Sequence, residues 1–224
     1  PTRRSSDLLG EQYFGSGVGY EYFICINLGY GIGSAIVQNG EFYVGSSGTS
    51  GEVGHITVEK DGTMCTCGNS GCLEALASGR AIAQQARNLV AGGIKTQMIE
   101  LVNGDVQRIE AKTVFEAARQ GDAAALDIVR KASEYIGIGL ASYINLLDPE
   151  KIILAGGMAN ERMLVEQIQR VSKVRRMRFA GRKVKIQVSK LGAYATAMGA
   201  ASIPLQQLLK QGGLSAIKEQ EEPV

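Results

Sequence analysis

The order of the predicted elements indicates an α/β fold built on a mixed sheet. Three strand patterns lie close together between Glu21 and Gly45, and the hairpin signal Asn39-Gly40 separates the second from the third. Helical patterns occupy the middle of the chain, and two later strand patterns alternate with helices. Because a hairpin pairs its strands antiparallel, whereas alternating strands and helices pair in parallel, both kinds of pairing are expected in one sheet.

The first strand is predicted in the apolar run Tyr22–Leu28 and the second in Ser34–Val37. A turn with glycine at every second position connects them. This turn joins two strands, and not a strand and a helix, so the dinucleotide-binding fingerprint does not apply. A tight hairpin is a sufficient explanation for its glycines, which are Gly29, Gly31 and Gly33.

Three helices are predicted before the next strand. The apolar residues of Leu73–Val90 fall on one side of a helix, and Gly92-Gly93 follows it. Residues 94–110 are predicted to form a connecting segment, with a turn at Asn103-Gly104-Asp105. A short helix then opens at Lys112 or Thr113 and runs through Arg119, and Gly121-Asp122 breaks the chain and caps the next helix. The longest helix, Ala123–Leu147, is stopped by Asp148-Pro149.

The last part of the chain alternates strands and helices. Lys151–Ala155 is predicted as a central strand, and Gly156 and Gly157 follow at its carboxyl end, where ligands collect in open α/β sheets. The remaining predicted elements are a helix over Ala159–Val174, an edge strand over Val184–Ser189, a helix over Ala193–Leu209 that contains Pro204, and a charged tail over 211–224.

The composition is that of an ordinary globular protein. Of 224 residues, 45% are hydrophobic and 21% are charged, and the net charge of +2 is too small to indicate nucleic-acid binding. The basic run Lys173–Lys183 is typical of a solvated helix end. No apolar run has the length of a membrane span and no secretory pattern opens the chain, so a cytoplasmic location without membrane contact is expected.

Residues 51–74 hold a candidate metal site. Three of the four cysteines lie here as Cys65-x-Cys67-x4-Cys72, together with the only histidine, His55. Three thiolates and one imidazole make a complete tetrahedral set for Zn²⁺. The alternatives are a cluster of free thiols or a disulfide, although Cys65 and Cys67 are too close in sequence to bridge easily. The residue set favours one zinc ion held by all four side chains.

The same stretch resembles the signature of the ROK family, which contains sugar kinases and sugar-responsive transcriptional repressors. The resemblance rests on Gly51-Glu-Val-Gly-His55 followed by Cys65-x-Cys67-Gly-Asn-x-Gly-Cys72-Leu-Glu74, and it extends over the chain from about Leu9. It implies a ribonuclease-H-like lobe of the actin-type ATPases. Residues 51–74 would be a zinc-binding loop inserted into this lobe, and the N-terminal lobe would be incomplete.

The resemblance also implies which residues bind ligands. Residues matching Glu52, His55 and Glu74 bind the sugar in the family, since carboxylates and imidazole suit hydroxyl groups. Read without the family motif, Glu52 and Glu74 are surface or helix-terminal carboxylates. In the family's kinases, glycines matching Gly29, Gly31, Gly33, Gly156 and Gly157 approach the nucleotide. Tyr30 stands where those kinases usually have threonine, a departure that disfavours tight phosphate binding.

The start of the chain departs from the family. Residues 1–7 match the translation of a common sequencing-library adapter, so residues 1–8 are predicted to be a leader that is not native; a natural disordered arm is the alternative. Leu9-Gly10-Glu11 matches the end of the family segment that carries the catalytic aspartate, and counting back places Arg3 at the aspartate's position. The resemblance therefore implies a ROK domain over 9–210 in which no catalytic residue is present.

Three functions remain open at this point. The first is the sugar-sensing effector domain of a ROK transcriptional regulator, which would reach DNA only through an absent N-terminal domain. The second is a truncated sugar kinase that uses ATP and Mg²⁺ to phosphorylate a hexose or an N-acetylhexosamine. The third is a zinc-stabilised module without a ligand. The resemblance also implies a homodimer or a tetramer. Tyr30 and the segment Ile203–Leu209 favour the regulator.

Overall fold

The computed structural model describes residues 3–179, 183–195 and 197–202. Within these ranges one sheet contains five strands in the order β3-β2-β1-β4-β5. The pairs β1/β2 and β2/β3 are antiparallel, and the pairs β1/β4 and β4/β5 are parallel, so the predicted mixed sheet is confirmed. The strands are β1 (Phe23–Leu28), β2 (Ile32–Gln38), β3 (Glu41–Tyr43), β4 (Lys151–Ala155) and β5 (Lys185–Val188).

Helices cover both faces of the sheet. They are α1 (Arg3–Phe14), α2 (Leu73–Ala77), α3 (Gly79–Ala91), α4 (Gln97–Leu101), α5 (Ala111–Arg119), α6 (Ala123–Leu147) and α7 (Arg162–Arg175). Short 3-10 turns lie at Val53–His55, Val106–Arg108, Gly157–Asn160 and Gly192–Tyr194, and residues 197–202 are helical.

The side chains of β1 alternate between two cores. Ile24, Ile26 and Leu28 face the main core, which α2, α3, α5, α6 and α7 cover. Phe23 and Cys25 face a smaller core, which Leu8 of α1 completes. Because both faces are covered, β1 and β4 are apolar except for Asn27 and Lys151, as parallel strands in a sheet interior largely are. Since β1 and β4 are parallel neighbours, the segments that follow them emerge side by side at one edge of the sheet.

Several predicted elements have the predicted bounds. α6 and β4 span the same residues that the sequence indicated. The Asn39-Gly40 turn has positive φ at both residues (53° and 72°), as a two-residue hairpin of the primed type requires. The Asn103-Gly104 turn likewise has positive φ at both positions.

Other predicted elements were wrong in their bounds. The single helix predicted over Leu73–Val90 is two helices, because Ser78 adopts an extended backbone (ψ 164°) and its hydroxyl accepts a hydrogen bond from Ala81 N. The segment predicted as a connection contains α4, which Thr96 caps. α7 begins at Arg162, after a 3-10 turn, and not at Ala159. The end of the last predicted helix and the tail 211–224 lie outside the described residues.

The predicted ribonuclease-H-like lobe is confirmed: three antiparallel strands are followed by β4, which pairs in parallel with β1, and by β5, which pairs in parallel with β4, and helices cover both faces. α1 continues without a break from Arg3 through Phe14, across the boundary predicted between residues 8 and 9. Within the described ranges, no helix combines the length and the apolar character needed to cross a membrane.

Candidate functional site

The four predicted metal ligands converge. Their ligand atoms all lie within 4.8 Å of one another. The Cys65 Sγ lies 3.7 Å from His55 Nδ1, and the Cys67 Sγ lies 3.6 Å from the Cys72 Sγ. Zn–S and Zn–N bonds of about 2.0–2.3 Å place donor atoms within about 4 Å of one another. These two pairs meet this limit, and the bound of 4.8 Å for the whole set exceeds it, so the cluster has the donor set and nearly the spacing for a metal ion.

The loop that carries the cysteines is shaped by short backbone contacts. Cys65 N donates to Asn69 O (2.7 Å), and isolated bridges join Thr57 to Cys72 and Met64 to Ser70. Cys72 is the residue that precedes α2, so the last ligand is fixed by the start of a helix. The loop therefore holds its ligands through its own turns and its junction with α2.

The thiols differ in their surroundings. Burial, with hydrogen bonds from the other two thiols, raises the pKa of Cys72 to about 12. The backbone N–H of Asn69 lowers the pKa of the exposed Cys67 thiol. A bound cation stabilises the thiolate form of each cysteine ligand, and metal binding therefore releases protons at such a cluster.

His55 lies between the metal cluster and Glu52. Its Nδ1 faces Cys65, and its Nε2 lies 4.0 Å from Glu52 Oε2. His55 is the last residue of the 3-10 turn Val53–His55, which follows β3, and Glu52 directly precedes this turn. The buried Val53 anchors the turn. Gly54 presses this turn against β2, because any side chain there would collide with the Ile32 carbonyl. One imidazole nitrogen is thus directed to the cluster and the other to a carboxylate.

Two residues near Glu52 were missed by the sequence reasoning. The Ser34 hydroxyl donates to Gly51 O (2.6 Å) and lies 3.4 Å from the Tyr143 hydroxyl. Burial, followed by the charge of Glu52, raises the pKa of Tyr143. Both belong to elements that the sequence predicted correctly, but neither lies in a motif, and only the fold brings them to residues 51–52.

Glu74 occupies a different position from the other two sugar candidates. Its Oε2 accepts a hydrogen bond from Ile32 N (2.8 Å), and its Oε1 lies 3.8 Å from Arg80 Nη2. It lines a large cleft beside the glycine turn, whereas Glu52 and His55 are absent from the lining of that cleft. The helix-terminal alternative also fits this position, since Glu74 lies in the first turn of α2.

The cleft has a volume of about 1020 Å³ and lies at the sheet edge where β1 and β4 end. Two carbonyl groups of the glycine turn accept the first N–H groups of α3, from Gly79 to Gly29 O (2.8 Å) and from Arg80 to Tyr30 O (3.1 Å). The Tyr30 side chain is 79% exposed. The lining includes every glycine predicted to approach a nucleotide: Gly29, Gly31, Gly33, Gly156 and Gly157.

The cationic side of the cleft was not predicted. Its cations are Arg80, Arg87, Lys112 and Arg119. Arg119 is paired with Glu116 (2.6 Å) and Glu161 (2.5 Å), and Arg87 donates to Ile109 O (2.8 Å). Arg80, Ala83 and Arg87 follow one face of α3, a periodicity that was available in the sequence.

The family model of the ROK family matches residues 5–207. The chain belongs to the ROK family. The resemblance on which the sequence analysis relied is therefore confirmed, and the ribonuclease-H-like fold is the fold of this family's kinases.

Both functional branches of the ROK family are represented among similar proteins. The chain is 38% identical to a glucokinase from Thermotoga maritima over 155 residues (68% of this chain and 48% of that protein). It is 31% identical to a putative xylose repressor from Caldicellulosiruptor over 204 residues (90% and 50%). The chain thus spans about half the length of these curated relatives.

Among solved structures, a ROK family glucokinase from Streptomyces griseus, in complex with glucose and AMPPNP, has a TM-score of 0.80 and 34% identity. The alignment covers 92% of this chain and 67% of that one.

Proposed function

We propose that this ROK domain is the sugar-sensing effector domain of a transcriptional regulator and that it contains one structural zinc ion. The observation that carries the proposal is the orientation of His55, whose two ring nitrogens face the cysteine cluster and Glu52. A metal on Nδ1 leaves Nε2 to meet a ligand hydroxyl in a fixed tautomer.

Zinc is the metal that suits this donor set. Three sulfurs and one nitrogen form a closed tetrahedral shell, which is typical of structural zinc and leaves no position for a catalytic water. When bound, zinc supplies a fixed geometry for the loop and for the His55 ring. Glu52 and His55 then present an acceptor and a ring nitrogen to sugar hydroxyls, with Glu74 as a third partner that first has to leave the Ile32 amide.

One observation favours a regulator. Tyr30 occupies the glycine turn, and the α3 N–H groups beside it are already bonded to turn carbonyls, which leaves few donors for phosphates. The kinase alternative, with ATP and Mg²⁺ in the cleft, is favoured by the similarity to two glucokinases and by the glycine-lined cleft.

Calorimetric titration with a panel of hexoses and N-acetylhexosamines tests sugar binding. Each charge-assisted hydrogen bond contributes about 1.5–3 kcal/mol, so Glu52→Gln should weaken binding about tenfold or more. The charge-matched control is Glu134→Gln, because Glu134 lies on α6 and pairs with Arg130 and Arg175 away from the site. Equal affinities for wild type and Glu52→Gln would place the sugar site elsewhere, and zinc without any sugar binding would favour the ligand-free module.

A coupled assay with ATP, Mg²⁺ and the same sugars tests whether this chain transfers a phosphoryl group. We expect background rates, because the resemblance aligns Arg3 with the catalytic base, and loss of a general base costs about 10²–10⁴ in rate. Turnover that survives repurification and disappears in Glu52→Gln would establish the kinase alternative.

A homodimer or a tetramer is proposed, as is DNA contact through an N-terminal domain outside this chain. Light scattering of the purified protein tests the oligomer, and a monomer at micromolar concentration would contradict it.

A further inference from the structure

The Glu74 carboxylate lies where the metal loop, the His55 turn and the glycine turn meet. It follows Cys72 by two residues, and its Cβ lies 3.3 Å from where a side chain at Gly54 would begin. Its Oε2 is held by Ile32 N, and a methyl group at Gly31 would lie 2.6 Å from that oxygen. The backbone of Glu74 is therefore fixed on the sugar side, while its carboxylate lies against the glycine turn of the cleft.

The Glu74 carboxylate occupies the groups that an anion entering the cleft would otherwise contact. The first N–H groups of α3 are bonded to Gly29 O and Tyr30 O, so they are not free to bind a ligand. The Ile32 N–H is bonded to Glu74, and the Arg80 guanidinium lies 3.8 Å from the same carboxylate. An anion that enters beside Gly31 meets a negative charge, and the nearest cation is already partly neutralised.

We propose that Glu74 makes anion binding in the cleft conditional on sugar binding. When sugar hydroxyls donate hydrogen bonds to the Glu74 carboxylate, the carboxylate leaves the Ile32 N–H and the Arg80 guanidinium. Both groups then become available to a phosphate-bearing ligand. Without sugar, Glu74 occupies the Ile32 N–H and repels the anion. Glu74 is thus a positioning residue shared by two sites. This inference rests on the proposed function, since it requires that the sugar engage Glu74.

Linkage makes the effect reciprocal: if sugar strengthens anion binding by a given factor, the anion strengthens sugar binding by the same factor. A ligand shifts the position of Glu74 only as far as its affinities for the two positions differ. Glu74 is 19% exposed, so its charge is only partly screened by solvent. We expect a coupling of about tenfold or more in each affinity, in the range usual for coupled sites.

The test measures ATP–Mg²⁺ binding by calorimetry, with and without a saturating sugar taken from the panel. For the wild type, the sugar should tighten ATP binding about tenfold or more. For Glu74→Gln, ATP binding without sugar should tighten, because the repelling charge is removed and Arg80 loses its acidic partner, and its dependence on sugar should weaken. Glutamine keeps an oxygen that accepts the Ile32 N–H, so the turn retains its hydrogen bond. Glu134→Gln removes the same charge at a distance and should behave as the wild type.

The sugar affinity of Glu74→Gln gives a second readout. It should fall while the sugar-free ATP affinity rises, whereas a collapsed turn would lower both. The inference is overturned if Glu74→Gln binds ATP no more tightly than the wild type, if it keeps the coupling at its full wild-type size, or if ATP binds neither state of the wild type. Sugar that binds the wild type but leaves its ATP affinity unchanged overturns the coupling alone. Absence of any sugar binding overturns the proposed function as well.

Discussion

The metal loop carries the four predicted ligands within residues 55–72, whereas the cleft is lined by residues spread from Asn27 to Glu161. The loop has little core of its own: Cys65 and Cys72 are buried, but most of the residues between them are exposed. The cleft is formed by helices that pack on the sheet through one continuous core. Coordination should therefore hold the first region and hydrophobic packing the second, so each should respond to a different perturbation.

Removal of a metal ligand should have the largest effect on the loop. Structural zinc contributes about 10–16 kcal/mol in small peptides, far more than this loop can recover by packing. In Cys72→Ser, we expect zinc content near zero and loss of amide protection over residues 56–72 in hydrogen exchange. The strands β1 and β4 should keep their protection. Unchanged protection of the loop would show that packing, and not coordination, holds it.

Substitution of Asp122, which caps α6, should perturb the helices that form the cleft and leave the metal loop intact. It is 8% exposed and accepts hydrogen bonds from Ala125 N, Gln97 N and Thr96 Oγ1, each at 2.8 Å. Asp122→Ala removes a helix cap and leaves donors unpaired, which should cost about 2 kcal/mol in urea unfolding. Zinc content should be unchanged. A loss of zinc in this variant would mean that the two regions are not independent.

The Asp122 carboxylate also gives a pH dependence. Burial opposes its ionisation, but the hydrogen bonds from Ala125, Gln97 and Thr96 outweigh burial and lower its pKa. A group with a lowered pKa in the folded state contributes stability above its unfolded pKa of about 3.9, and this is lost as pH falls through the folded pKa. The stability difference between wild type and Asp122→Asn should therefore shrink below about pH 4. A constant difference across that range would contradict the assignment.

Tyr135 of α6 joins the two regions, and its effect should be smaller. Its hydroxyl donates to Glu59 Oε1 (2.6 Å), and burial, followed by this hydrogen bond, raises its pKa to about 12. Tyr135→Phe should cost about 1 kcal/mol. Because the raised pKa favours the neutral phenol, this contribution is complete below pH 10 and is lost as pH rises toward 12. If the difference between wild type and Tyr135→Phe persisted at pH 12, the phenol would have no such role.

The contrast between local and distant contacts also explains what the sequence could predict. α6 was predicted with its exact bounds because its signals, Asp122 before it and Asp148-Pro149 after it, are local. The convergence of His55 with the three cysteines was predicted because this set is complete within one short stretch. The break at Ser78 was missed because it depends on the carbonyls of Gly29 and Tyr30, which are distant in sequence and accept the N–H groups that the break exposes.

The predicted ligand residues show the same limit. His55 and Glu52 face each other, and this contact could be predicted because the two residues lie three positions apart in one motif. Glu74 belongs to the same motif, yet the structure places its carboxylate on the Ile32 amide. Neither this bond nor the approach of Tyr143 to Ser34 could be predicted, because each depends on how α2 or α6 packs on β2.

Sugar titration before and after metal removal tests most directly the claim that the metal loop presents the sugar-binding residues. The protein is titrated as purified, after chelation, and after restoration with one equivalent of zinc. We expect the affinity to fall about tenfold or more on chelation, because His55 and Glu52 lose their fixed geometry, and to return with zinc. Sugar affinity that is the same in all three states would contradict the account.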